Sequence, residues 1–298
     1  MRKILINFKQ MKKQCWVCNS KEIIKVKNGI DINNIKTTDF MVTDSRYGTT
    51  LDLYECKECK FQFCPSDLDL VELYENMEDQ EYIDTNSERS KQANELYTES
   101  VKFFKPNFKR TLDVGCGSGQ FVECFRENGF EASGVEPSKA LAEFAISKGL
   151  KVIKGKLEDI PKSNLFDFIS LIDVIEHVDN PAEIINQIKD LLKPNGLVML
   201  VTPRTDSFFK KLLGFKWWHY RLAHVGYFSR KNLIKLCEDN GFKYVHDFSP
   251  SWYHDLNYIL TRLMRYVPGF KNIKINFFKN KSIKLNLGDS IAIIMLKN

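Results

Sequence analysis

Three glycines follow a short apolar run in the stretch LDVGCGSGQF. Gly115, Gly117 and Gly119 alternate with other residues, and glycine allows backbone angles and close ligand approaches that other residues exclude. An acid, Glu136, follows about twenty residues later, at the end of the next predicted strand, where a carboxylate can accept the hydroxyl hydrogens of a ribose. A nicotinamide-binding fingerprint, GxGxxG, would need a glycine where Gln120 stands. The pattern therefore predicts a cradle for an adenosine-bearing ligand of another kind.

Residues suited to acid–base chemistry lie in IDVIEHV, at the end of a further predicted strand. Asp173, Glu176 and His177 are expected near the ligand crevice, and an imidazole that titrates near neutral pH suits a general base. The alternative is that His177 packs beside the cofactor while Glu176 caps or pairs locally. The segment HVGYFS adds His224 and Tyr227, in a loop directly before a predicted helix. A loop histidine can be a base or a structural residue, and both interpretations stay open here.

Five of the eight cysteines lie between positions 15 and 64. Cys15 with Cys18, and Cys56 with Cys59, form two CxxC pairs, and each short turn points two thiolates in the same direction. Zinc prefers four such ligands in structural sites, and a closed four-sulfur site leaves no open position for catalysis. The alternatives are reduced structural cysteines or a redox dithiol, and Cys64 is a spare ligand. The spacing predicts a structural zinc site.

The elements that position these residues alternate along the chain from residue 109 onward. Strand and helix patterns follow one another from RTLDV to GLVMLV, which predicts an α/β fold with a doubly wound, mostly parallel sheet. Such sheets bind ligands at the carboxyl ends of their strands. Three late segments, IKINFF, SIKLNL and SIAIIMLK, are expected to complete the sheet. A helix with an apolar face is expected in WYHDLNYILTRLMRYVPG, from Trp252.

The motifs LDVGCGSG, GVEPS, FDFISLIDVIEHV and LLKPNGLVMLVTP together resemble class I S-adenosylmethionine-dependent methyltransferases, over roughly residues 108 to 204. The resemblance implies a Rossmann-like domain whose glycine turn and Glu136 hold the cofactor. Most relatives contact adenine through an acid where this chain has Lys156, so Leu157 is expected to serve through its backbone. The cofactor-binding residues that we predict are Asp113, Gly115, Cys116, Gly117, Gly119, Glu136, Leu157 and Asp173.

Two narrower resemblances bear on the acceptor and on the bases. HVGYFS and the cysteine module are similar to those of bacterial sugar and glycan methyltransferases, in which this histidine is assigned the base role. IDVIEHV is similar to ubiquinone-biosynthesis O-methyltransferases, in which an acid-acid-His cluster is linked to a divalent metal. The catalytic residues that we predict are His224, His177, Glu176 and Tyr227. The domains that we predict are a zinc-ribbon-like module at 1–66, a helical connector at 67–105 and a methyltransferase domain at 106–298 with an insertion at about 205–270.

Composition limits the partners. The net charge of +6 is mild and basic residues are mixed with acids, so nucleic-acid binding is not indicated. No apolar run is long enough to span a bilayer, and the basic amino terminus is too interrupted for a secretory signal, so we expect a cytoplasmic protein. Aromatic and basic residues in FFKKLLGFKWWHYRL, from Phe208, form either a lid, ordinary packing or a peripheral contact with the inner membrane face. With membrane contact, the acceptor would be a lipid-linked sugar.

The sequence thus predicts an enzyme that moves a methyl group from S-adenosylmethionine to a hydroxyl or activated carbon of a sugar or glycan intermediate. A quinone-type or other small-molecule O-methyltransferase is the alternative enzyme. A non-catalytic protein that recruits a partner through its zinc module is the alternative from another class.

Overall fold

The computed structural model of the chain describes residues 14–31, 47–65, 75, 86–264 and 281–298. The amino-terminal part contains three short strands, β1 (Ile23–Lys27), β2 (Leu53–Cys56) and β3 (Gln62–Phe63). Helix α1 (Asn86–Ser100) is the described part of the predicted connector, together with Glu75 and residues 101–105.

Strands and helices then alternate as the sequence predicts. They are β4 (Arg110–Val114), α2 (Gln120–Glu127), β5 (Glu131–Glu136), α3 (Lys139–Ser147), β6 (Val152–Lys154), β7 (Phe166–Ile172), α4 (Pro181–Leu191) and β8 (Leu192–Pro203). The carboxyl-terminal part continues with α5 (Phe208–Leu213), β9 (Gly226–Tyr227), α6 (Arg230–Asp239), β10 (Phe242–Phe248), β11 (Trp252–Asp255), α7 (Leu256–Met264), β12 (Ser282–Leu285) and β13 (Ser290–Lys297).

A seven-stranded sheet in the order β10-β13-β8-β7-β4-β5-β6 forms the centre of the fold. The five strands from β8 to β6 pair in parallel, and only β13 and β10 pair antiparallel at one edge. β7 and β13 each carry long buried apolar runs because helices cover both faces of the sheet. The predicted Rossmann-like α/β fold is confirmed.

The topology brings the candidate residues to one edge of this sheet. The chain order of β4 and its neighbours reverses at β4, where β5 lies on one side and β7 on the other. The glycine turn leaves β4, Glu136 ends β5, and the acid–histidine segment leaves β7. Ligand crevices of open α/β sheets lie at such a switch point.

Two predictions about the late segments are wrong. The helix does not begin at Trp252, because residues 252–255 form β11 and the helix begins at Leu256. β12 does not join the main sheet; it pairs with β11 in a separate two-stranded sheet, with Trp252 opposite Leu285. Both differences arise because β11 and β12, which are remote in the chain, pair with each other. Helical periodicity does not predict such a pairing. The segment IKINFF and residues 265–269 lie outside the described residues.

The cysteine-rich part is not separate from the rest of the chain. β3 pairs with β9, so that one four-stranded sheet, β1-β2-β3-β9, contains strands from both predicted domains. Helix α1 also belongs to the main core, because Ala93 and Leu96 pack in one buried cluster with Phe121 and Phe125. A boundary at residue 66 therefore does not separate two packing units. Within the described residues, no helix has the length and apolar character required to cross a membrane.

Candidate functional site

The glycine turn between β4 and α2 is shaped for close ligand approach. Gly115, Gly117 and Gly119 have φ angles of 67°, 54° and 86°, a left-handed region that is costly for residues with a side chain. A Cβ atom at Gly115 would lie 2.6 Å from Cγ2 of Val174, and one at Gly119 would lie 2.4 Å from Cδ1 of Leu150. The spacing of the glycines follows from these two constraints.

Glu136 reaches back from the end of β5 to the glycine turn. Its Oε2 accepts a hydrogen bond from the backbone N–H of Gly117, and its Oε1 accepts one from the N–H of Ser138, both at 2.8 Å. Burial raises the pKa of Glu136 to about 7, although these two hydrogen bonds favour the carboxylate. Each oxygen keeps a second lone pair, which is what two ribose hydroxyls require.

A cavity of about 230 Å³ is lined by the first glycine, Gly115, and by Val135 and Pro137, the two chain neighbours of Glu136. Its walls include Val135, Leu157 and Glu158 on one side and Val174 and Val178 on the other. These apolar walls with a few polar edges suit a planar purine. Asp159 does not line the cavity; its Oδ2 accepts from the N–H of Lys156 at 2.7 Å and closes the turn locally. Leu157, which we predict as the adenine contact, therefore lines this cavity together with Glu158.

The three other predicted cofactor residues differ in what they offer. Asp113 is buried and accepts a hydrogen bond from Oγ of Ser170 at 2.6 Å, and burial raises its pKa to about 7. Asp173 directly follows β7 and has a φ of 54°, a strained backbone that persists where the surroundings require it. Cys116 turns its thiol toward Gly134, so that only its backbone can face a ligand, since a Cβ at Gly134 would lie 2.5 Å from Sγ.

Two histidines meet at the same edge. The rings of His177 and His224 have centroids 4.7 Å apart and are nearly perpendicular. Nδ1 of His177 lies 2.7 Å from the carbonyl oxygen of Ala223, which can only accept, so Nδ1 carries the proton and Nε2 is the acceptor nitrogen. Nδ1 of His224 is buried and has no hydrogen-bond partner.

Burial changes the expected titration of both rings. It lowers the pKa of His177 to about 3, and it lowers the pKa of His224 well below its ordinary value, because a buried imidazolium loses its hydration. The expectation that His177 titrates near neutrality is therefore wrong. Both rings are neutral at physiological pH and present lone pairs.

Glu176 completes this group from the 3-10 turn Ile175–His177. Its Oε2 accepts from Oγ1 of Thr202 at 2.8 Å, whereas its Oε1 is buried without a partner. Burial raises the pKa of Glu176 well above its ordinary value. Ligand atoms of Glu176, His177 and His224 lie within 4.8 Å of one another, and one carboxylate with two imidazoles could hold a divalent ion.

Tyr227 does not extend toward this group. It lies in β9, is buried, and its hydroxyl donates to the carbonyl oxygen of His224 at 2.8 Å. Burial raises the pKa of its phenol well above the ordinary value, so the proton stays on oxygen. The geometry replaces the predicted catalytic role of Tyr227 with a positioning role, in which its side chain fixes the backbone that carries His224.

The loop of His224 is attached to the cysteine-rich part of the chain. The N–H of Cys64 donates to the carbonyl oxygen of Val225, and the N–H of Val225 donates to the carbonyl oxygen of Glu176, both at 2.8 Å. Asn232, in the first turn of α6, donates to the carbonyl oxygen of Cys59 at 2.8 Å. One hydrogen-bonded path therefore runs from the cysteine cluster through the histidine loop to the end of β7.

The four predicted metal ligands converge. Sγ of Cys15 lies 3.5 Å from Sγ of Cys59, and Sγ of Cys18 lies 3.5 Å from Sγ of Cys56. All four sulfur atoms lie within 4.8 Å of one another. Sulfurs about 2.3 Å from a tetrahedral zinc ion lie roughly 3.8 Å apart, so the cluster fits zinc. Cys64 lies outside it and points its thiol at the carbonyl oxygen of Leu51.

The sequence does not identify the residues that hold the histidine loop in place. Oδ2 of Asp289, at the start of β13, accepts from Nε1 of Trp218 at 2.8 Å and lies 3.1 Å from Nε2 of His219. The ring of His219 in turn stacks on that of His224, with centroids 6.1 Å apart. The position of Asp289 directly before a buried apolar strand is a signal that the sequence offers. Its partners cannot be predicted from it, because they lie about seventy residues away in the chain. Thr202 gave no signal within a continuous apolar strand.

Comparisons with known proteins agree with this arrangement. Residues 87–247, more than half of the chain, match the family described as "Methyltransferase domain". The uncharacterized protein MJ1123 of Methanocaldococcus jannaschii is 33% identical over 152 residues, which cover 50% of this chain and 72% of that protein. The ubiquinone biosynthesis O-methyltransferase of Haemophilus ducreyi is 32% identical over 106 residues. These cover 32% of this chain and 45% of that enzyme, so the chain spans less than half of its length.

Among solved structures, a SAM dependent methyltransferase from Archaeoglobus fulgidus has the same fold, with a TM-score of 0.50 and 19% identity. The similarity covers 74% of this chain and 100% of that one. The family match begins at residue 87, so it includes helix α1, which we had assigned to the connector. With a glycine turn, a carboxylate and a cavity at its switch point, and with the family match over residues 87–247, the chain belongs to the class I S-adenosylmethionine-dependent methyltransferases.

Proposed function

We propose that the chain transfers the methyl group of S-adenosylmethionine to a hydroxyl or an activated carbon of a sugar or glycan intermediate. The observation that carries the proposal is the pair of neutral histidines, half-buried His177 and buried His224, of which His177 lies in the turn between cavity residues Val174 and Val178. A sugar acceptor is supported by the resemblance of HVGYFS and of the cysteine module to bacterial sugar methyltransferases.

S-adenosylmethionine supplies, when bound, an electrophilic methyl group on a positively charged sulfonium. Glu136 and the backbone of the glycine turn hold the nucleoside, and the cavity walls hold the adenine, so that the methyl group is placed for in-line attack. Nδ1 of His224 takes the proton of the acceptor as the new bond to the methyl carbon forms and the bond to sulfur breaks. One positive charge thus passes from sulfur to imidazole, and the buried site holds the same net charge before and after transfer.

Turnover with candidate acceptors tests this proposal. We expect His224→Ala to lower kcat by about 10² to 10⁴ fold, the usual share of a general base, with an unchanged Kd for S-adenosylhomocysteine. His246→Ala is the matched control, because His246 lies on the edge strand β10 and stacks on Phe103, with centroids 5.0 Å apart. Equal losses of turnover and of cofactor affinity in His224→Ala would mean that the residue only maintains the fold.

A quinone-type O-methyltransferase is the second candidate. Two observations favour it: the similarity to ubiquinone biosynthesis enzymes, and a Glu176–His177–His224 group that could hold a divalent ion. Glu176→Gln separates the two mechanisms, because glutamine keeps the hydrogen bond from Thr202 but is a poor ligand for a divalent cation. Retained turnover supports a metal-free base, whereas loss of turnover together with a preference for catechols over nucleotide sugars supports the second candidate. A protein that binds S-adenosylhomocysteine but methylates neither class would favour a non-catalytic role.

We also propose that the cluster of Cys15, Cys18, Cys56 and Cys59 holds a structural zinc ion. Metal analysis of the purified protein is expected to give one zinc per chain, and Cys18→Ser to reduce it, while Cys124→Ser, outside the cluster, leaves it unchanged. Because β3 pairs with β9, chelation is expected to lower turnover while S-adenosylhomocysteine binding persists. Full turnover after complete loss of zinc would contradict the proposed connection between the cluster and the histidine loop.

A further inference from the structure

The segment between β8 and the histidine loop carries an unusual exposed surface. Phe208 is 68% exposed and Leu212 is 66% exposed, the two highest values among the large apolar side chains of the described residues, and nearby Phe215 is 43% exposed. Phe208 and Leu212 are four residues apart, so they lie on one face of α5. Phe215 lies in the turn after the helix, and its ring also contacts that of Tyr220, with centroids 5.8 Å apart. Scattered single apolar residues are normal on protein surfaces, but three within nine positions form a patch.

The opposite face of the same helix is well packed. Phe209 and Leu213 pack against the buried cluster that contains Trp217 and Tyr220. The rings of Phe209 and Trp218 have centroids 5.4 Å apart. Helix α5 is therefore fixed to the core by its inner face, and its outer apolar face is not a consequence of loose packing.

Lysines lie in the same segment, and of these Lys210 faces a depression that Glu55 and Asp206 also line, so Lys211 and Lys216 are the ones beside the outer face. Lys210, Lys211 and Lys216 lie in the same nine residues, and the sequence from Ser207 to Leu222 contains no acid. Within the described part of the chain, neither Lys210 nor Lys211 forms an ion pair. Apolar side chains beside lysines match a lipid surface that carries negative charge, because the rings enter the interface while the ammonium groups contact the headgroups.

We propose that this face of the molecule docks on an anionic membrane. The docking surface consists of Phe208, Lys211, Leu212, Phe215 and Lys216. The same segment continues directly into Trp218 and His219, which support the histidine loop, so docking would bring that loop close to the lipid headgroups. An acceptor attached to a lipid would then reach the site from the membrane surface. The docking itself does not depend on the acceptor or on the methyl-transfer proposal.

Flotation of the full-length protein with lipid vesicles tests the proposal. The vesicles contain phosphatidylcholine alone, or phosphatidylcholine with about a third replaced by phosphatidylglycerol. We expect the protein to float with the anionic vesicles, to float less as salt rises, and to remain in solution with the neutral ones. No flotation at low salt would overturn the proposal, as would equal binding to both kinds of vesicle.

Two variants distinguish binding through this surface from non-specific binding to lipid. The double variant Phe208→Ser with Leu212→Ser is expected to lower the partition coefficient by at least about tenfold, because the interfacial contact is lost. Ile146→Ser is the matched control, since Ile146 is 45% exposed on α3 and lies outside the docking surface. An unchanged partition coefficient in the double variant would refute the assignment. Sedimentation velocity without lipid tests whether a second copy of the chain binds this surface instead. A dimer of the wild type that the double variant does not form, with no flotation of either protein, would assign the surface to self-association.

Discussion

Replacing Glu136 by glutamine is expected to raise the Kd for S-adenosylhomocysteine by about 10 to 150 fold. In the structure, each carboxylate oxygen accepts one backbone N–H, from Gly117 or Ser138, and keeps one lone pair for a ribose hydroxyl. A glutamine oxygen can serve one of these two positions, but its NH₂ group faces a donor at the other. One hydrogen bond to a charged acceptor is therefore lost from the complex, which costs about 1.5 to 3 kcal/mol.

Calorimetric titration with S-adenosylhomocysteine measures this change directly. Glu131→Gln is the matched control, because Glu131 is exposed at the other end of β5 and forms only a surface ion pair with Arg110, at 3.8 Å. We expect the control to bind like the wild type. If Glu136→Gln binds as tightly as Glu131→Gln does, the ribose is not held by this carboxylate and the reasoning fails.

Two further predictions follow from the same region. Burial raises the pKa of Glu136 from its ordinary value of 4.5 to about 7. The neutral carboxyl therefore stabilises the ligand-free folded state at low pH, and this contribution to the free energy of unfolding is lost as the pH rises through about 7. Affinity for S-adenosylhomocysteine, which needs the carboxylate, should increase between about pH 6 and pH 8, and a parallel increase in Glu136→Gln would assign the titration to another group. Gly134→Ala should lower the free energy of unfolding by about 1 to 3 kcal/mol, since the new Cβ would lie 2.5 Å from Sγ of Cys116. Urea denaturation measures this loss, and Cys116→Ala in the same chain should recover part of it; no loss would show that the strand shifts freely.

Much of the central sheet could be predicted because its information is local. The glycine turn, the acid that ends β5 and the proline at the start of α4 each act within a few residues of their own strand or helix. The parallel order of β4, β5 and β7 then follows from the right-handed connections between them. These features also place Gly115 and Glu136 together, since strand ends in a parallel sheet meet at one edge.

The parts that the sequence did not reveal depend on remote contacts. β3 pairs with β9 across about 160 residues, and this pairing, rather than a linker, attaches the cysteine cluster to the histidine loop. The reassignment of Tyr227 has the same origin, because its hydroxyl is occupied by a carbonyl of a loop whose path is set by that pairing. The low pKa of His177 depends on its burial beside that loop and on the charge of Arg221, and neither can be read from composition or spacing.

A crystal structure of the protein with S-adenosylhomocysteine tests the central claim most directly. Our account predicts the ribose hydroxyls on the two oxygens of Glu136, the adenine against Leu157 and Val178, and the thioether sulfur facing the His177–His224 pair. A ligand bound elsewhere, or a sulfur directed away from both histidines, would contradict it.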